Sequence, residues 1–236
     1  MIAGNRRRGG SAPFTIAGLF AAGEKGAYYD FTDAATLAVN ADGSGGAPAI
    51  GGACRWAADL SPNANHLRNT VTSATRRAAG IETDGAGYGL FNMPAYGGWP
   101  SIPEPFEIIC VASQLAYAGT DRTIFTNNSA TLALRQSAAS GNVRFYDSGY
   151  GPDFSAPINS EFSIALALWP SGRSQSVNGG AAVALPSGGQ PLDGLVLGSG
   201  SGGGASGVQA RFKRLVVVGR ALTSAERAGA VAWASE

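Results

Sequence analysis

The sequence predicts an all-β fold: a two-sheet antiparallel jelly-roll sandwich with an extended N-terminal arm and one short C-terminal helix. Three observations predict it. From about residue 50, short apolar runs recur at close intervals; Gly- and Asn-rich turns separate them; and 3.6-residue periodicity is nearly absent until the C-terminal segment. Composition agrees, since 35 glycines among 236 residues are about twice the usual share of roughly 7%. Apolar residues make up 44% of the chain and charged residues 14%, so a sizeable core is available and disorder is excluded by composition.

Taken in order, the chain opens on a basic segment, Arg6-Arg7-Arg8-Gly9-Gly10. Residues 1–27 read as an arm for attachment to a partner, with Arg6, Arg7, Arg8, Phe14 and Phe20 as its contact residues. Residues 28–236 read as one domain. The stretch 14–40 mixes aromatic and small residues without a clear period, as expected of a segment lying on a surface. Strands are expected at Ala53–Trp56, Gly87–Phe91, Phe106–Ser113, Arg122–Thr126, Thr131–Arg135, Val143–Tyr146, Phe162–Trp169, Ser174–Val177, Leu192–Leu197 and Phe212–Val218. Ser140-Gly141-Asn142 and Asn178-Gly179-Gly180 supply residues that tolerate the positive φ of hairpin turns. Thr223-Ser224-Ala225-Glu226 is a capping box, and Ala225, Ala228, Val231 and Ala232 offer a small apolar helix face.

Net charge is +1, so no global field draws the chain to nucleic acid or to an anionic membrane. Its longest apolar stretches, such as Phe162–Trp169, fall far short of the roughly 20 residues that span a bilayer. The basic residues 1–10 are followed by no compact apolar segment of the export type. Cys110 lies in an apolar run, Ile108-Ile109-Cys110-Val111, where a free buried thiol is the expected state; sequence leaves a bridge to Cys54 open.

Several segments resemble one family. Trp56-Ala57-Ala58-Asp59-Leu60-Ser61-Pro62-Asn63-Ala64-Asn65-His66 is similar to a loop of concanavalin A-like (laminin-G-like) domains found in bacteriophage virion proteins. Ser176-Val177-Asn178-Gly179 resembles their V-N-G hairpin, and Phe212–Arg227 resembles their closing strand and R-A-L-T-x-A-E-R helix. Leu19–Asp30 is similar to a lead-in segment of phage and gene-transfer-agent structural proteins. Pro62 and Ala64 replace the glycines usual in the loop, and Leu67 follows its His. The resemblance implies a virion component such as a fibre, spike or tail-associated protein, assembled in the bacterial host cytoplasm. It also implies a lectin-like domain that touches host surface polysaccharide, with other virion proteins as partners of the arm. Purely structural decoration of the particle is the alternative. Fibre modules are often trimeric, but no heptad run here supports a coiled coil.

Catalytic chemistry is sparse. His66 is the one histidine, and neither a G-x-S-x-G elbow nor a histidine-rich metal set accompanies it. A glycosidase needs two carboxylates facing one cleft, and Glu104 and Glu107, three apart around Pro105, would lie on opposite faces of a strand. The expectation is therefore that the chain is not an enzyme. Asp59, Asn63 and Asn65 could offer oxygens to Ca²⁺, but one acid is thin for an ion that takes roughly six to eight. An Asx-type turn is the preferred reading, and no cofactor is expected. A sugar ring needs a flat aromatic surface rimmed by donors and acceptors. Tyr88, Tyr96, Trp99, Tyr146, Tyr150 and Asp153, in or beside loops, are the candidates.

Overall fold

The computed structural model describes residues 13–70, 73–85, 89–92, 99–116, 120–138, 140–147, 149–198 and 207–236. Arg6, Arg7, Arg8, Tyr88 and Tyr96 lie outside them. The strands are β1 Gly26–Asp30, β2 Leu37–Ala38, β3 Ala53–Cys54, β4 Trp56–Ala57, β5 Leu67–Arg68, β6 Ala74–Arg77, β7 Gly80–Asp84, β8 Phe91–Asn92 and β9 Phe106–Gln114. They continue with β10 Arg122–Thr126, β11 Leu132–Gln136, β12 Val143–Asp147, β13 Glu161–Leu168, β14 Ser174–Val177, β15 Val183–Ala184, β16 Leu195–Leu197 and β17 Gln209–Val218. A helix, α1, spans Ser224–Ser235.

Two antiparallel sheets form the sandwich. One runs β15-β14-β13-β9-β17-β7-β6-β3, with β1 also paired to β17; the other runs β12-β11-β10-β16-β8-β5-β4-β2. Strand β17 organises the first sheet. One of its edges follows β9 along its length, while the other takes β7 at residues 209–212 and β1 at residues 214–218. Between the sheets lies one apolar core that includes Tyr29, Phe31, Trp99, Phe106, Phe125, Phe145, Phe162 and Phe212.

A third layer covers the outer face of the first sheet. Leu19, Phe20, Leu222, Ala230 and Ala234 pack there on Tyr28, Ile109, Val111, Val216 and Val218. The α1 face is corrected accordingly: Ala230, Ala234 and partly Val231 face the sheet, whereas Ala225, Ala228 and Ala232 are exposed. The capping box is present, with Thr223 Oγ1 accepting the Glu226 N–H at 3.2 Å and Glu226 Oε2 accepting the Thr223 N–H at 2.8 Å. Arg227 adds a polar anchor, since its guanidinium donates to both oxygens of buried Glu107 at 2.7 Å.

Residues Ile16–Phe20 form a 3₁₀ turn capped by Thr15, and Phe20 is 2% exposed, stacked on Tyr28 at 5.6 Å. Phe20 therefore belongs to the domain's own packing and does not present a docking surface; Phe14 is 40% exposed and lies against Gly229 of α1. The predicted strand Ala53–Trp56 divides at Arg55, giving β3 to one sheet and β4 to the other. Sequence reading also missed β1, β6 and β7. Strand β1 is covered on both faces, so it shows no alternation; β6 and β7 carry Arg76, Arg77, Glu82 and Asp84 in place of an apolar run. Cys54 and Cys110 are both buried and free.

Candidate functional site

The strand period of two places Arg144 and Tyr146 of β12 on its outer face while Val143, Phe145 and Asp147 turn inward. On the neighbouring β11, Ala133 sits opposite Tyr146 and Arg135 opposite Arg144. After β12 the chain turns back, and Tyr150 bridges to Tyr146. Their rings lie 5.0 Å apart at 58°. The Arg135 guanidinium sits 4.4 Å over the Tyr146 ring, and that of Arg144 sits 3.8 Å over Tyr150. Each cation faces a ring's negative π-cloud.

Acids complete the rim. Asp121 Oδ2 accepts from Arg144 Nη2 at 2.8 Å and from the Tyr150 hydroxyl at 3.0 Å, and Asp121 Oδ1 accepts the Ala138 N–H at 2.7 Å. Burial works to raise the Asp121 carboxyl, but the Ala138 N–H, the Tyr150 hydroxyl and Arg144 outweigh it and hold it below the ordinary range. Asp153 accepts from Ser140 Oγ at 2.9 Å and lies 4.0 Å from Arg144 Nη1. Three of the expected sugar-site residues, Tyr146, Tyr150 and Asp153, thus meet around Arg144. Tyr150 is 46% exposed, leaving ring surface open to solvent. Sequence reading missed Arg135, Arg144, Asp121 and Ser140; the R-x-Y spacing of Arg144 and Tyr146 was the available signal.

Trp99 is placed elsewhere. It is 1% exposed and belongs to the core with Ile102 and Phe106, which corrects its reading as a stacking surface. Tyr88 and Tyr96 lie outside the described residues.

The Asp59–His66 loop is a stitch on the free edge of β1. Asp59 Oδ1 accepts the N–H groups of Tyr28 (3.1 Å) and Ser61 (2.8 Å); Oδ2 accepts from Ser61 Oγ (2.7 Å) and the Asn65 N–H (2.8 Å). Asn63 and Asn65 donate their side-chain amides to the Gly26 carbonyl, and the Tyr29 hydroxyl donates to the Asn65 carbonyl. Burial pushes the Asp59 carboxyl up against these donors. Asp59 is thus engaged by N–H and O–H donors while the amides of Asn63 and Asn65 are turned to backbone carbonyls, and the loop closes an otherwise open strand edge. Gly26 is required there: at φ 135° its backbone lies so close to β17 that a Cβ would stand 2.0 Å from the Val217 oxygen.

A pair of acids does meet in space. Arg173 Nη2 contacts both Glu104 and Asp147, and all three side chains are at most 8% exposed. The spacing of acids along a single strand does not reveal this pair, because its members come from the segment before β9 and the end of β12.

No protein-family model matches this chain, and no curated protein matches it. Among solved structures, Trypanosoma rangeli sialidase in complex with sialic acid aligns over 92% of this chain and 34% of its own, at TM-score 0.57 and 14% identity. The same enzyme in complex with 2,3-difluoro-KDN aligns over 88% and 32%, at TM-score 0.57 and 13% identity. Domain 4 of AbnA, a GH43 extracellular arabinanase from Geobacillus stearothermophilus in complex with arabinotriose, covers 87% and 98% at TM-score 0.48 and 14% identity. The chain spans about a third of the length of the sialidases it matches. At such identity the likeness shows the fold alone: an antiparallel β-sandwich, consistent with the concanavalin A-like reading. The expectation that the chain is not an enzyme is overturned here. Enzymes share this sandwich, and the absence of a strand-borne acid pair, on which the exclusion stood, does not exclude catalysis.

Proposed function

We propose that this chain is a glycan-binding β-sandwich module of a phage or phage-like particle, contacting polysaccharide on the host surface. The Tyr146–Tyr150 platform carries the reading. It combines exposed aromatic surface with a rim of Arg135, Arg144, Asp121 and Asp153, the pairing of stacking face and polar groups that a sugar ring needs. The carbohydrate-directed sialidases of the same fold support the ligand class. The virion part rests on the resemblance of Trp56–His66, Ser176–Gly179 and Phe212–Arg227 to phage domains, with other virion proteins as partners of the N-terminal arm, residues 1–27, and the particle as location.

A glycan array probed with the full chain tests the platform. Tyr150→Ala should weaken binding by about tenfold or more, as loss of a central aromatic anchor does, with only a small drop in melting temperature from the lost contacts to Asp121 and Arg144, because the ring is half exposed. Equal binding by the variant and the parent would remove the platform from the reading.

A further inference from the structure

A second concave site adjoins the platform, on the far side of the loop that carries Tyr150. Gly149 of that loop approaches Pro186, and Gly151 approaches Leu185. Beyond them lies a cleft of about 230 Å³ lined by Glu104, Trp169, Pro170, Arg173, Leu185 and Ser187, among others. Pockets for drug-sized molecules run to roughly 300–1,000 Å³, so the occupant here is smaller, on the scale of one ring.

The polar groups under this cleft are incompletely used. Arg173, with a side chain 5% exposed, contacts Glu104 and Asp147 through Nη2, while its Nε and Nη1 have no hydrogen-bond partner among the described residues. The same holds for Trp169 Nε1 and, beside Arg173, for Asp147 Oδ1. Donors and acceptors are thus both left over, side by side, against the apolar walls of Trp169, Pro170 and Leu185. Two carboxylates against one guanidinium also leave a negative charge in excess. That disfavours an anion, and the fixed guanidinium disfavours a small cation. A hydroxyl group both donates and accepts, and a neutral sugar ring carries several around an apolar face. The rim over these atoms, Ser187–Gly189, is exposed. Gly188 packs so tightly on Arg173 Nη1 that a Cβ there would clash at 1.8 Å, so the guanidinium reaches the cleft only beneath a glycine.

We infer that the Trp169–Arg173 cleft binds a single neutral sugar ring, with Glu104 and Arg173 as its polar contacts and Trp169 as its wall. This rests on the glycan reading above but not on the platform.

Titration of the ¹⁵N-labelled full chain with glucose, galactose, mannose, rhamnose and arabinose, each to tens of millimolar, tests it. The indole N–H resonance of Trp169 (assigned with Trp169→Phe) should move saturably with at least one of these sugars, and less with glucuronate and galacturonate. Glu104→Gln should weaken the response about tenfold, the loss of a charge-assisted hydrogen bond. Ser187→Phe, at an exposed rim position, should abolish it without lowering the melting temperature. Tyr150→Ala should leave the Trp169 titration intact, whatever it does to polysaccharide binding, so the two sites fail separately. A Trp169 resonance that no neutral sugar moves, or that responds equally in Ser187→Phe, overturns the inference; so does an equal response to the uronates.

Discussion

Glu82 concentrates the charge chemistry of the first sheet in one side chain. Its carboxylate on β7 accepts from Arg77 Nε and Nη2 at 3.1 and 3.0 Å, from Arg211 Nη2 at 3.0 Å and from Gln209 Nε2 at 3.2 Å. The Arg77 hydrogen bonds foremost, with Arg211 and Gln209 overcoming the opposing effect of burial, push the carboxyl down to about 2 from an ordinary 4.5. Glu226, held by Arg220 and the Thr223 N–H, is pushed to about 2 as well. A depressed folded-state value means that the stabilisation is fully present above the unfolded value and is lost as pH falls through the folded one. Melting temperature should therefore drop as pH is lowered from 4.5 toward 2, and Glu82→Gln should be less stable at neutral pH yet show a shallower drop. Thermal melts across that range check it, and an unaltered slope in the variant would count against the pairing. The Glu82 cluster was not legible in sequence, because Arg77, Glu82 and Arg211 come together only through the register of three strands. Tyr146 and Tyr150 were legible because they lie within one hairpin, where period-two geometry and a short turn fix their meeting. Trp99 misled for the converse reason: a glycine- and proline-rich neighbourhood marks a loop, but not whether the loop folds inward.

At the scale of elements, the outer layer shows how a segment without periodicity can still be structural. Residues 16–20 carry Ile16, Leu19 and Phe20 in a 3₁₀ turn, too short to display a helical stripe. The same residues seal one end of the α1–sheet interface, where Phe20 stacks on Tyr28 and Trp233 meets the same ring edge-on at 5.8 Å. Phe20→Ala should accordingly cost about 3–5 kcal/mol, the range for truncating a buried phenylalanine, measured by denaturant unfolding. Phe14→Ala, at a 40% exposed position, should cost far less. If Phe20 were instead a docking residue of a free arm, the two variants would melt alike. The capping box of α1 was legible because its residues are three apart in sequence. The helix face was not, since Ala occurs on every side and only the contact with Glu107 and β9 selects Arg227, Ala230, Val231 and Ala234.

At the scale of the whole molecule, the decisive feature is that β17, near the C-terminus, is flanked by β1, β7 and β9. The segment after residue 200 therefore completes a sheet begun at residue 26, and neither sheet can bury its inner face without the other. One core spans both, from Tyr29 through Trp99 and Phe145 to Phe212. No subset of strands keeps a closed apolar interior of its own, so partial unfolding exposes the remainder to water and cooperativity follows. The chain should unfold in one transition. Far-UV circular dichroism, which follows the sheets, should coincide in denaturant midpoint with near-UV signal from core aromatics such as Trp99 and Tyr29. Removing α1 by ending the chain at Gly219 should shift both signals together to lower denaturant, because the helix covers the same central strands β9 and β17 that the core requires. Two separated transitions, or a near-UV signal lost while the sheet signal persists, would mean that the sheets have independent cores, and the sandwich that positions both the tyrosine platform and the neighbouring cleft would no longer hold them in one frame.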